Sequence, residues 1–391
     1  MRVVVTGGGS GGHITPILAV ASELKRLRSD VEIVYIGQKG DGLLDIPRSD
    51  PNVDEVFAIW AGKLRRYADE GWRQWLNVHT QSLNIRDATR SARGVGQSYR
   101  LLHKLRPDVI FTRGGFVSVP VAIGGYLNHI PYITHDSDSV PSLANRLIAP
   151  KAAVHAVALP PEIYPYPHDK TVTVGVPVSA QYQPVTAELQ YQYRQELKLD
   201  GYKYVLLLTG GGNGSAILNE ALVQNANYLL HRYPGLAIVH IAGRAHESET
   251  KRAYDALHLD GDRERVQVYG FTTKLLSYTG AADVIVTRSG STTLAELAIQ
   301  QKACVVVPAP QLMDQTKNAK VFDREKAIVN LSEAQMMQSG QLGQTISELL
   351  DDDVRRERLA QNLAKYAHPQ AARELAELIL KVAGGEGYAR A

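Results

Sequence analysis

The sequence predicts an α/β fold with two domains, each built around a doubly wound parallel sheet. The chain has 391 residues, and domains of about 100–200 residues predict two of them, possibly three. Short apolar runs rich in β-branched residues alternate with helical patterns, as is typical of parallel sheets covered by helices. A strand that runs into a glycine-rich turn occurs twice, from Val3 to Gly11 and from Leu206 to Gly214. This repeat indicates that each half of the chain begins with its own βα unit.

The predicted strands are short, and helical patterns separate them. In the first half they are Arg2–Val5, Glu32–Ile36, Val109–Thr112 and Tyr132–Thr134. In the second half they are Leu206–Leu208, Ala237–Ile241, Val266–Tyr269, Val284–Thr287 and Cys304–Val307. The helix that follows the first glycine-rich turn is predicted from apolar residues on one face, namely Ile17, Leu18, Ala21 and Leu24.

Prolines predict where the chain crosses between the domains, with a cluster at 160–167 followed by Pro177. We expect an N-terminal domain over residues 1–177 and a C-terminal domain over residues 178–370. A C-terminal helix with a mobile tail is expected over residues 371–391. The last helical pattern, from Gln370 to Val382, could pack on either domain.

Composition excludes several classes of protein. The formal charge of +3, from 43 basic and 40 acidic residues, is too balanced to indicate a nucleic-acid partner. A single cysteine, Cys304, excludes an intramolecular disulfide and argues against a cysteine-based zinc site. No signal peptide is expected, because the chain opens with a strand-like run. The longest apolar stretch, Val109 to Leu127, contains Arg113 and four glycines, so we expect any membrane contact to be peripheral.

The first glycine-rich turn matches the dinucleotide pattern G-x-G-x-x-G at Gly7, Gly9 and Gly12. A nicotinamide site also needs an acidic residue at the end of the second strand, and no acid occurs there before Asp41. Neither turn carries the Lys-Ser/Thr of a P-loop. Backbone amides at a helix N-terminus suit a phosphate or diphosphate, although either turn could have only a structural role.

His13 follows the first turn directly. A histidine at this position could act as a general base on an attacking hydroxyl, because its ordinary pKa is close to neutral. Packing against the turn is the alternative for His13.

A second candidate loop, Arg288 to Glu296, follows a predicted strand and opens a helix. Its hydroxyls and amides can bind an anion, and Glu296 can accept hydrogen bonds from both hydroxyls of a ribose. Thr293 and Glu296 also have the spacing of a capping box. Gln315 could approach the same pocket from the loop after the next strand.

Three motifs occur in order, Gly8 to His13, Arg113 to Pro120 and Arg288 to Glu296. Together they resemble the MurG family, the bacterial UDP-N-acetylglucosamine transferases of peptidoglycan synthesis, up to about residue 330. The resemblance implies the GT-B fold, in which two Rossmann-like domains face each other across a cleft with the active site. It also implies transfer of GlcNAc, with inversion, from UDP-GlcNAc to the 4-hydroxyl of the muramoyl unit of lipid I, giving lipid II.

The resemblance implies roles for individual residues. His13 would be the catalytic base, Thr272 would meet uracil through its backbone, Glu296 would hold the ribose, and Gln315 would lie near the donor sugar. The implied donor-binding residues are Ser10, Gly11, Gly12, Asp138, Gly212, Asn213, Thr272, Ser291, Thr292, Thr293, Leu294, Ala295, Glu296 and Gln315. The implied acceptor and diphosphate residues are Gly9, Ser10, Gly11, Gly114, Gly115 and Asp136.

The chain departs from the family pattern at three places. Asp138 stands where the family has an amide, Ser179 replaces a phosphate-binding cation, and Gly212 falls near a serine position. Asp136 and Asp138 also form a D-x-D pattern, which in another transferase fold holds a divalent metal. An ordinary solvated loop is the expectation here, with no resident metal and no cofactor.

Other functions stay open at this point. The chain could be a related UDP-sugar transferase that acts on another lipid acceptor, or a UDP-sugar epimerase on the same architecture. The departures at Ser179 and Asp138 also allow a nucleotide-sugar-binding protein without turnover.

A membrane-docking segment is predicted between residues 60 and 76. It holds all three tryptophans interleaved with cations, and the proposed contact residues are Trp60, Lys63, Arg65, Arg66, Trp72 and Trp75. Tryptophan favours the headgroup boundary, and each nearby cation gains about 1 kcal/mol at an anionic surface. We therefore expect a peripheral protein on the cytoplasmic face of the bacterial cell membrane. Alternatively, the aromatic side chains pack into the first domain and the cations face water.

Overall fold

The computed structural model describes residues 1–7, 11–62, 78–257, 259 and 261–385, with side chains except at 11–13 and 78–85. The chain divides into two compact units. Unit 1 comprises Met1–Ala180 together with the segment that begins at His368, and unit 2 comprises Gln181–Ala367. The C-terminal helix therefore belongs to unit 1, a choice that the sequence left open. The tail predicted to be mobile lies outside the described residues from 386 onward.

Each unit contains one sheet in which every pair of neighbouring strands is parallel. The strands of unit 1 are β1 (Arg2–Thr6), β2 (Glu32–Gln38), β3 (Glu55–Ile59), β4 (Val109–Thr112), β5 (Tyr132–Asp136), β6 (Val154–Val157) and β7 (Thr171–Thr173). The strands of unit 2 are β8 (Tyr204–Thr209), β9 (Leu236–Ile241), β10 (Val266–Tyr269), β11 (Val284–Thr287), β12 (Cys304–Val306) and β13 (Val329–Asn330). The predicted fold class of two doubly wound sheets is confirmed.

Helices connect the strands in both units. The first five are α1 (Gly11–Leu27), α2 (Asp45–Ser49), α3 (Val78–Leu105), α4 (Ser118–Leu127) and α5 (Leu143–Ile148). In unit 2 they are α6 (Ala187–Glu196), α7 (Ala216–Arg232), α8 (Glu247–Asp255), α9 (Leu275–Ala281), α10 (Ser291–Gln300), α11 (Met313–Arg324), α12 (Glu333–Met336), α13 (Gln341–Asp351) and α14 (Asp353–Ala364). The last helix, α15 (Ala371–Ala383), returns to unit 1.

The core of unit 1 includes the apolar face of α15. Ile17 and Leu24 of α1 are fully buried against the sheet, as the helical pattern predicts. Leu375 and Ile379 of α15 are buried in the same cluster. Covering these apolar surfaces stabilises unit 1 by about 25 cal/mol for each Å² that is removed from water.

Strand order identifies one switch point in each sheet. The orders are β3-β2-β1-β4-β5-β6-β7 and β10-β9-β8-β11-β12-β13. The connections therefore reverse direction between β1 and β4 in unit 1, and between β8 and β11 in unit 2. Because ligands of open parallel sheets bind outside the carboxyl ends of the strands at such a point, each unit has one favoured edge for a site.

No helix in the described part of the chain is long and apolar enough to cross a bilayer. Val109 to Leu127 divides into β4, a glycine loop and α4, as predicted.

Cys304 is fully buried in β12.

Candidate functional site

The glycine loop after β8 is shaped by a close backbone contact. Gly214 has φ +73°, and a Cβ there would lie 2.0 Å from the carbonyl oxygen of Ala242, in the loop after β9. Only glycine fits such a position without strain. Gly212 and Asn213 are exposed, and a Cβ at Gly212 would meet open space. The structure thus leaves room for a ligand beside the exposed side of this loop.

Arg288 fastens this loop to its neighbours at the switch point. Its Nη2 donates to Ser215 Oγ at 2.7 Å, and its Nη1 donates to the carbonyl oxygen of Val307 at 3.0 Å. The same guanidinium pairs with Glu333 of α12 at 2.7 Å. Arg288 thereby ties the ends of β8, β11 and β12 together. The sequence motif that contains Arg288 does not indicate these long-range contacts.

Gln315 also lies beside the loop after β11. Ser289 Oγ donates to the carbonyl oxygen of Gln315 at 2.8 Å, and Asn318 Nδ2 donates to the carbonyl oxygen of Ser289 at 3.2 Å. The side chain of Gln315 accepts a hydrogen bond from the amide of Ala309 at 3.1 Å. The structure therefore brings the first turn of α11 to the candidate loop.

The N-terminus of α10 is capped by the backbone of Gly290, with no side-chain cap. Thr293 is the third residue of the helix, so the capping-box interpretation of Thr293 and Glu296 is wrong. The first amides of an α-helix point out of it with partial positive charge. Ser291 and Thr292 are half-buried beside these amides. The side chain of Leu294 is buried in the core. This helix end, with Ala295 half-buried in the next position, has the chemistry of an anion site.

Glu296 lies further along α10 and is half-buried. Burial raises the pKa of its carboxyl to about 7, although a hydrogen bond from Tyr182 opposes the shift. At neutral pH the carboxyl therefore exists in both ionisation states. Sequence reasoning identified Glu296 and missed Tyr182.

Thr272 lies in the loop after β10, with its side chain accepting a hydrogen bond from the amide of Lys274 at 3.0 Å. The neighbouring Phe271 is 51% exposed. The guanidinium carbon of Arg244, in the loop after β9, lies 4.3 Å from the centroid of the Phe271 ring. An exposed flat ring directly after a strand is a signal that sequence reasoning overlooked.

In unit 1, the loop after β4 makes a tight turn into α4. Gly114 and Gly115 both have φ +81°. The amide of Gly114 donates to Thr112 Oγ1 at 3.1 Å, and Ser118 Oγ donates to its carbonyl oxygen at 2.6 Å. A Cβ at Gly114 would lie 2.9 Å from Ser142 Oγ. This loop is closely packed at the switch point of its sheet.

Asp136 ends β5 and is only 4% exposed. One carboxylate oxygen accepts from the amide of Ser142 at 3.1 Å and from Asn145 Nδ2 at 2.9 Å. The other accepts from the hydroxyl of Tyr166 at 2.7 Å. Burial raises the pKa of Asp136, while these hydrogen bonds oppose the shift. These contacts favour a structural role for Asp136 over the expected contact with an acceptor.

Asp138 lies near Arg113, another buried group. Burial lowers the pKa of Arg113 to about 10, and the charge of Asp138 opposes that shift. Arg113 Nη2 donates to Ser137 Oγ at 2.7 Å. Across the residues with described side chains, no group of three or more His, Cys, Asp or Glu could hold a metal ion.

His135 continues the hydrogen-bond chain that begins at Arg113. Its Nδ1 lies 3.3 Å from Ser137 Oγ, and its Nε2 lies 2.9 Å from the carbonyl oxygen of Gly175. Since a carbonyl only accepts, the neutral ring carries its proton on Nε2. Burial, with the nearby charge of Arg113, lowers the pKa of His135 to about 3. This series of hydrogen bonds connects the loops after β4 and β5 to Gly175.

Other predicted residues are described only in part. Gly9 and Ser10 lie outside the described residues, while Gly11, Gly12 and His13 form the first turn of α1 without described side chains. Of the predicted docking residues, Lys63, Arg65, Arg66, Trp72 and Trp75 also lie outside the described residues.

Trp60 is the described member of the docking segment, and it is half-buried. Lys39 Nζ lies 5.2 Å and Arg90 Cζ 5.5 Å from its ring centroid. Its amide donates to Gln97 Oε1 of α3 at 2.9 Å. This tryptophan is thus packed against unit 1, as the alternative interpretation expects.

Comparison with known proteins identifies the family. The model of the glycosyltransferase family 28 N-terminal domain matches residues 3–157. The model of the family's C-terminal domain matches residues 205–376. The chain belongs to glycosyltransferase family 28. The N-terminal match lies within unit 1, and the C-terminal match includes every strand of unit 2 except the first residue of β8.

Curated members of family 28 are similar over most of their length. A protein from Clostridium botulinum (strain Loch Maree) is 32% identical over 86% of this chain and 87% of its own. One from Geobacillus kaustophilus is 34% identical over 83% of each chain. Both are named UDP-N-acetylglucosamine--N-acetylmuramyl-(pentapeptide) pyrophosphoryl-undecaprenol N-acetylglucosamine transferase.

Solved structures agree with the family 28 assignment at the level of the fold. The crystal structure of Acinetobacter baumannii MurG matches with a TM-score of 0.75 and 22% identity, over 97% of this chain and 99% of that one. UDP-GlcNAc 2-epimerase from Neisseria meningitidis matches with a TM-score of 0.64 and 12% identity, over 97% of this chain and all of that one. The predicted GT-B fold is therefore confirmed.

Proposed function

We propose that this family 28 glycosyltransferase moves GlcNAc from UDP-GlcNAc to the 4-hydroxyl of the muramoyl unit of lipid I, which makes lipid II for peptidoglycan. The activity is named in the curated relatives, which are 30–34% identical over most of the chain. The observation that carries it to this chain is the switch point of unit 2. There the N-terminus of α10, the exposed glycine loop and Gln315 lie at one edge of the sheet.

The donor would bind along this edge of unit 2. The amides at Ser291 and Thr292, with the exposed loop at Gly212, suit the diphosphate of UDP-GlcNAc. Glu296 would accept hydrogen bonds from the ribose. Uracil would meet the backbone at Thr272, where the exposed ring of Phe271 offers a flat apolar face.

The reaction would be a single displacement with inversion. His13 takes the proton of the acceptor 4-hydroxyl, and that oxygen forms a bond to the anomeric carbon of GlcNAc. The bond between this carbon and the phosphate oxygen breaks, so UDP leaves with the bonding electrons. The positive end of α10 would stabilise the charge that develops on the leaving diphosphate. No metal or cofactor takes part in this proposal.

Donor affinity should depend on pH through Glu296. With a pKa raised from 4.5 to about 7, the carboxyl is protonated in acid and loses its strength as an acceptor for the ribose hydroxyls. UDP-GlcNAc should therefore bind about ten-fold more weakly at pH 6 than at pH 8.5, following the ionised fraction. Calorimetry without acceptor measures this, and both phosphates of this ligand are esterified, so neither phosphate changes its protonation in the range. Glu296→Gln is the control and should bind with a flat profile, whereas a flat wild-type profile would contradict the role of Glu296.

We also propose that the chain docks peripherally on the cytoplasmic face of the bacterial cell membrane, where a lipid-linked acceptor would be found. The predicted docking surface consists of Lys63, Arg65, Arg66, Trp72 and Trp75, together with the exposed part of the half-buried Trp60. The charge of the described part of α3 supports the proposal. Arg93 and Lys104 are exposed, whereas the acid Asp87 is 4% exposed and pairs with both Arg86 and Arg90.

Sedimentation with anionic vesicles tests the docking surface. The wild type should sediment at low salt and be released by added salt, because screening weakens the attraction of cations to anionic lipid. Replacing Trp72 and Trp75 together by alanine should reduce sedimentation, with circular dichroism as the control for folding. Vesicles of zwitterionic lipid provide the matched comparison. If the wild type does not sediment with anionic vesicles at low salt, the docking proposal is contradicted and a soluble acceptor is favoured.

A further inference from the structure

A short segment at the start of unit 2 lies along α10. The amide of Val185 donates to the carbonyl oxygen of Gln300 at the end of that helix, at 3.4 Å. The hydroxyl of Tyr182, three residues earlier in the segment, donates to the carboxylate of Glu296. The segment therefore contacts α10 at two successive turns.

The helix that follows the segment is fastened to the same unit. Arg194 of α6 pairs with Asp283 at 2.7 Å, and Gln190 Nε2 donates to the carbonyl oxygen of Ala281 at 3.2 Å. A Cβ at Gly280 would lie 2.3 Å from the ring of Tyr193, so α6 packs directly on α9. These contacts hold Tyr182 in place from the C-terminal side.

In the pair formed by Tyr182 and Glu296, the tyrosine hydroxyl is the donor to the ionised carboxylate. Burial, followed by the charge of Glu296, raises the pKa of Tyr182, so its hydroxyl keeps its proton and can donate to the ionised carboxylate. The nearby Tyr193 of α6 also raises the pKa of Tyr182. Arg288, the cation before α10, is engaged with Ser215 and Glu333. The donor that favours the ionised carboxylate of Glu296 is thus Tyr182.

We propose that Tyr182 is a positioning residue for donor recognition, which holds one oxygen of Glu296 and leaves the other for the hydroxyls of the nucleotide ribose. This inference rests on the proposed role of Glu296 in the donor site. Tyr182 acts through Glu296 and does not itself contact the reacting atoms. The segment that supplies Tyr182 lies outside both glycine-rich motifs.

Tyr182→Phe tests the proposal because it keeps the ring and removes only the hydroxyl. If the pKa of Glu296 rises by about one unit, the ionised fraction at pH 7 falls from about a half to about a tenth. The KM and Kd for UDP-GlcNAc should then rise about 3–10-fold at pH 7, with kcat changed by less than about two-fold. The difference should fade at pH 9, where the carboxyl is ionised in both proteins.

Tyr191→Phe is the matched control, because Tyr191 lies on α6 and is 54% exposed. It should bind UDP-GlcNAc as the wild type does. In a Glu296→Gln background, Tyr182→Phe should have no further effect on the pH profile. Thermal unfolding followed by circular dichroism establishes that each variant folds.

The outcomes separate this inference from the proposed function. If Glu296→Gln weakens UDP-GlcNAc binding while Tyr182→Phe binds as tightly as the wild type, or more tightly, the inference alone is overturned. Equal weakening by Tyr182→Phe at every pH would indicate a packing role and also overturn it. If Glu296→Gln binds normally, the ribose assignment fails and the inference fails with it.

Discussion

The His13→Ala variant should turn over about 10²–10⁴-fold more slowly than the wild type, the range that general-base catalysis contributes. Its affinity for UDP should hardly change, because the base acts on the acceptor hydroxyl and not on the nucleotide. The measurement is kcat with UDP-GlcNAc and a lipid I analogue, together with calorimetric binding of UDP. A loss confined to kcat is the signature of an interaction made in the transition state.

His13→Gln is the matched comparison, since glutamine can form hydrogen bonds but cannot take the proton. It should be nearly as slow as the alanine variant. Near-normal turnover in either variant would contradict the assignment of His13 as the base. Asp136 is a poor replacement, because Ser142, Asn145 and Tyr166 already occupy its buried carboxylate.

Glu296→Ala should weaken UDP binding by about 1.5–3 kcal/mol at pH 8, the value of hydrogen bonds to a charged group. This corresponds to a rise of about 10–150-fold in Kd. Calorimetry with UDP on the folded variant measures the change. The loss should appear in binding without acceptor present, because the ribose is held in the ground state as well as the transition state.

Glu357→Ala is the control for this experiment, because Glu357 is an exposed acid on α14 of the same unit. It should bind UDP as the wild type does. Unchanged affinity in Glu296→Ala would leave Glu296 without a role in the donor site.

The buried strands could be predicted because their composition reflects burial on both faces. Val109–Thr112 and Val284–Thr287 have their predicted bounds. The first is the central strand of its sheet, and the second is one of the two central strands of the other sheet. β3 was missed because it is an edge strand with exposed residues, and β7 and β13 because they are edges of three and two residues. The missed strand β6 contains His155, whose ring hydrogen-bonds to Thr134 and stacks on Tyr166.

Some features of the candidate site could also be predicted from the sequence, and others could not. The N-terminus of α10 could be predicted, because a strand followed by Ser-Gly-Ser-Thr-Thr is a local pattern. The contacts of Arg288 with Ser215 and Glu333 could not, because they join residues far apart in the chain. The sequence predicted a solvated loop at the D-x-D pattern, whereas Asp136 is buried. The pattern carries no information about how many donors surround each carboxylate.

The most direct test of the proposed transferase activity is release of UDP from UDP-GlcNAc, measured with and without a lipid I analogue. We predict release that depends on the acceptor, together with a lipid-linked product that carries GlcNAc on the muramoyl unit. Binding of UDP-GlcNAc without acceptor-dependent release would contradict the account and favour a binding protein without turnover. Acceptor-independent epimerisation of UDP-GlcNAc, or no binding of it at all, would contradict the account as well.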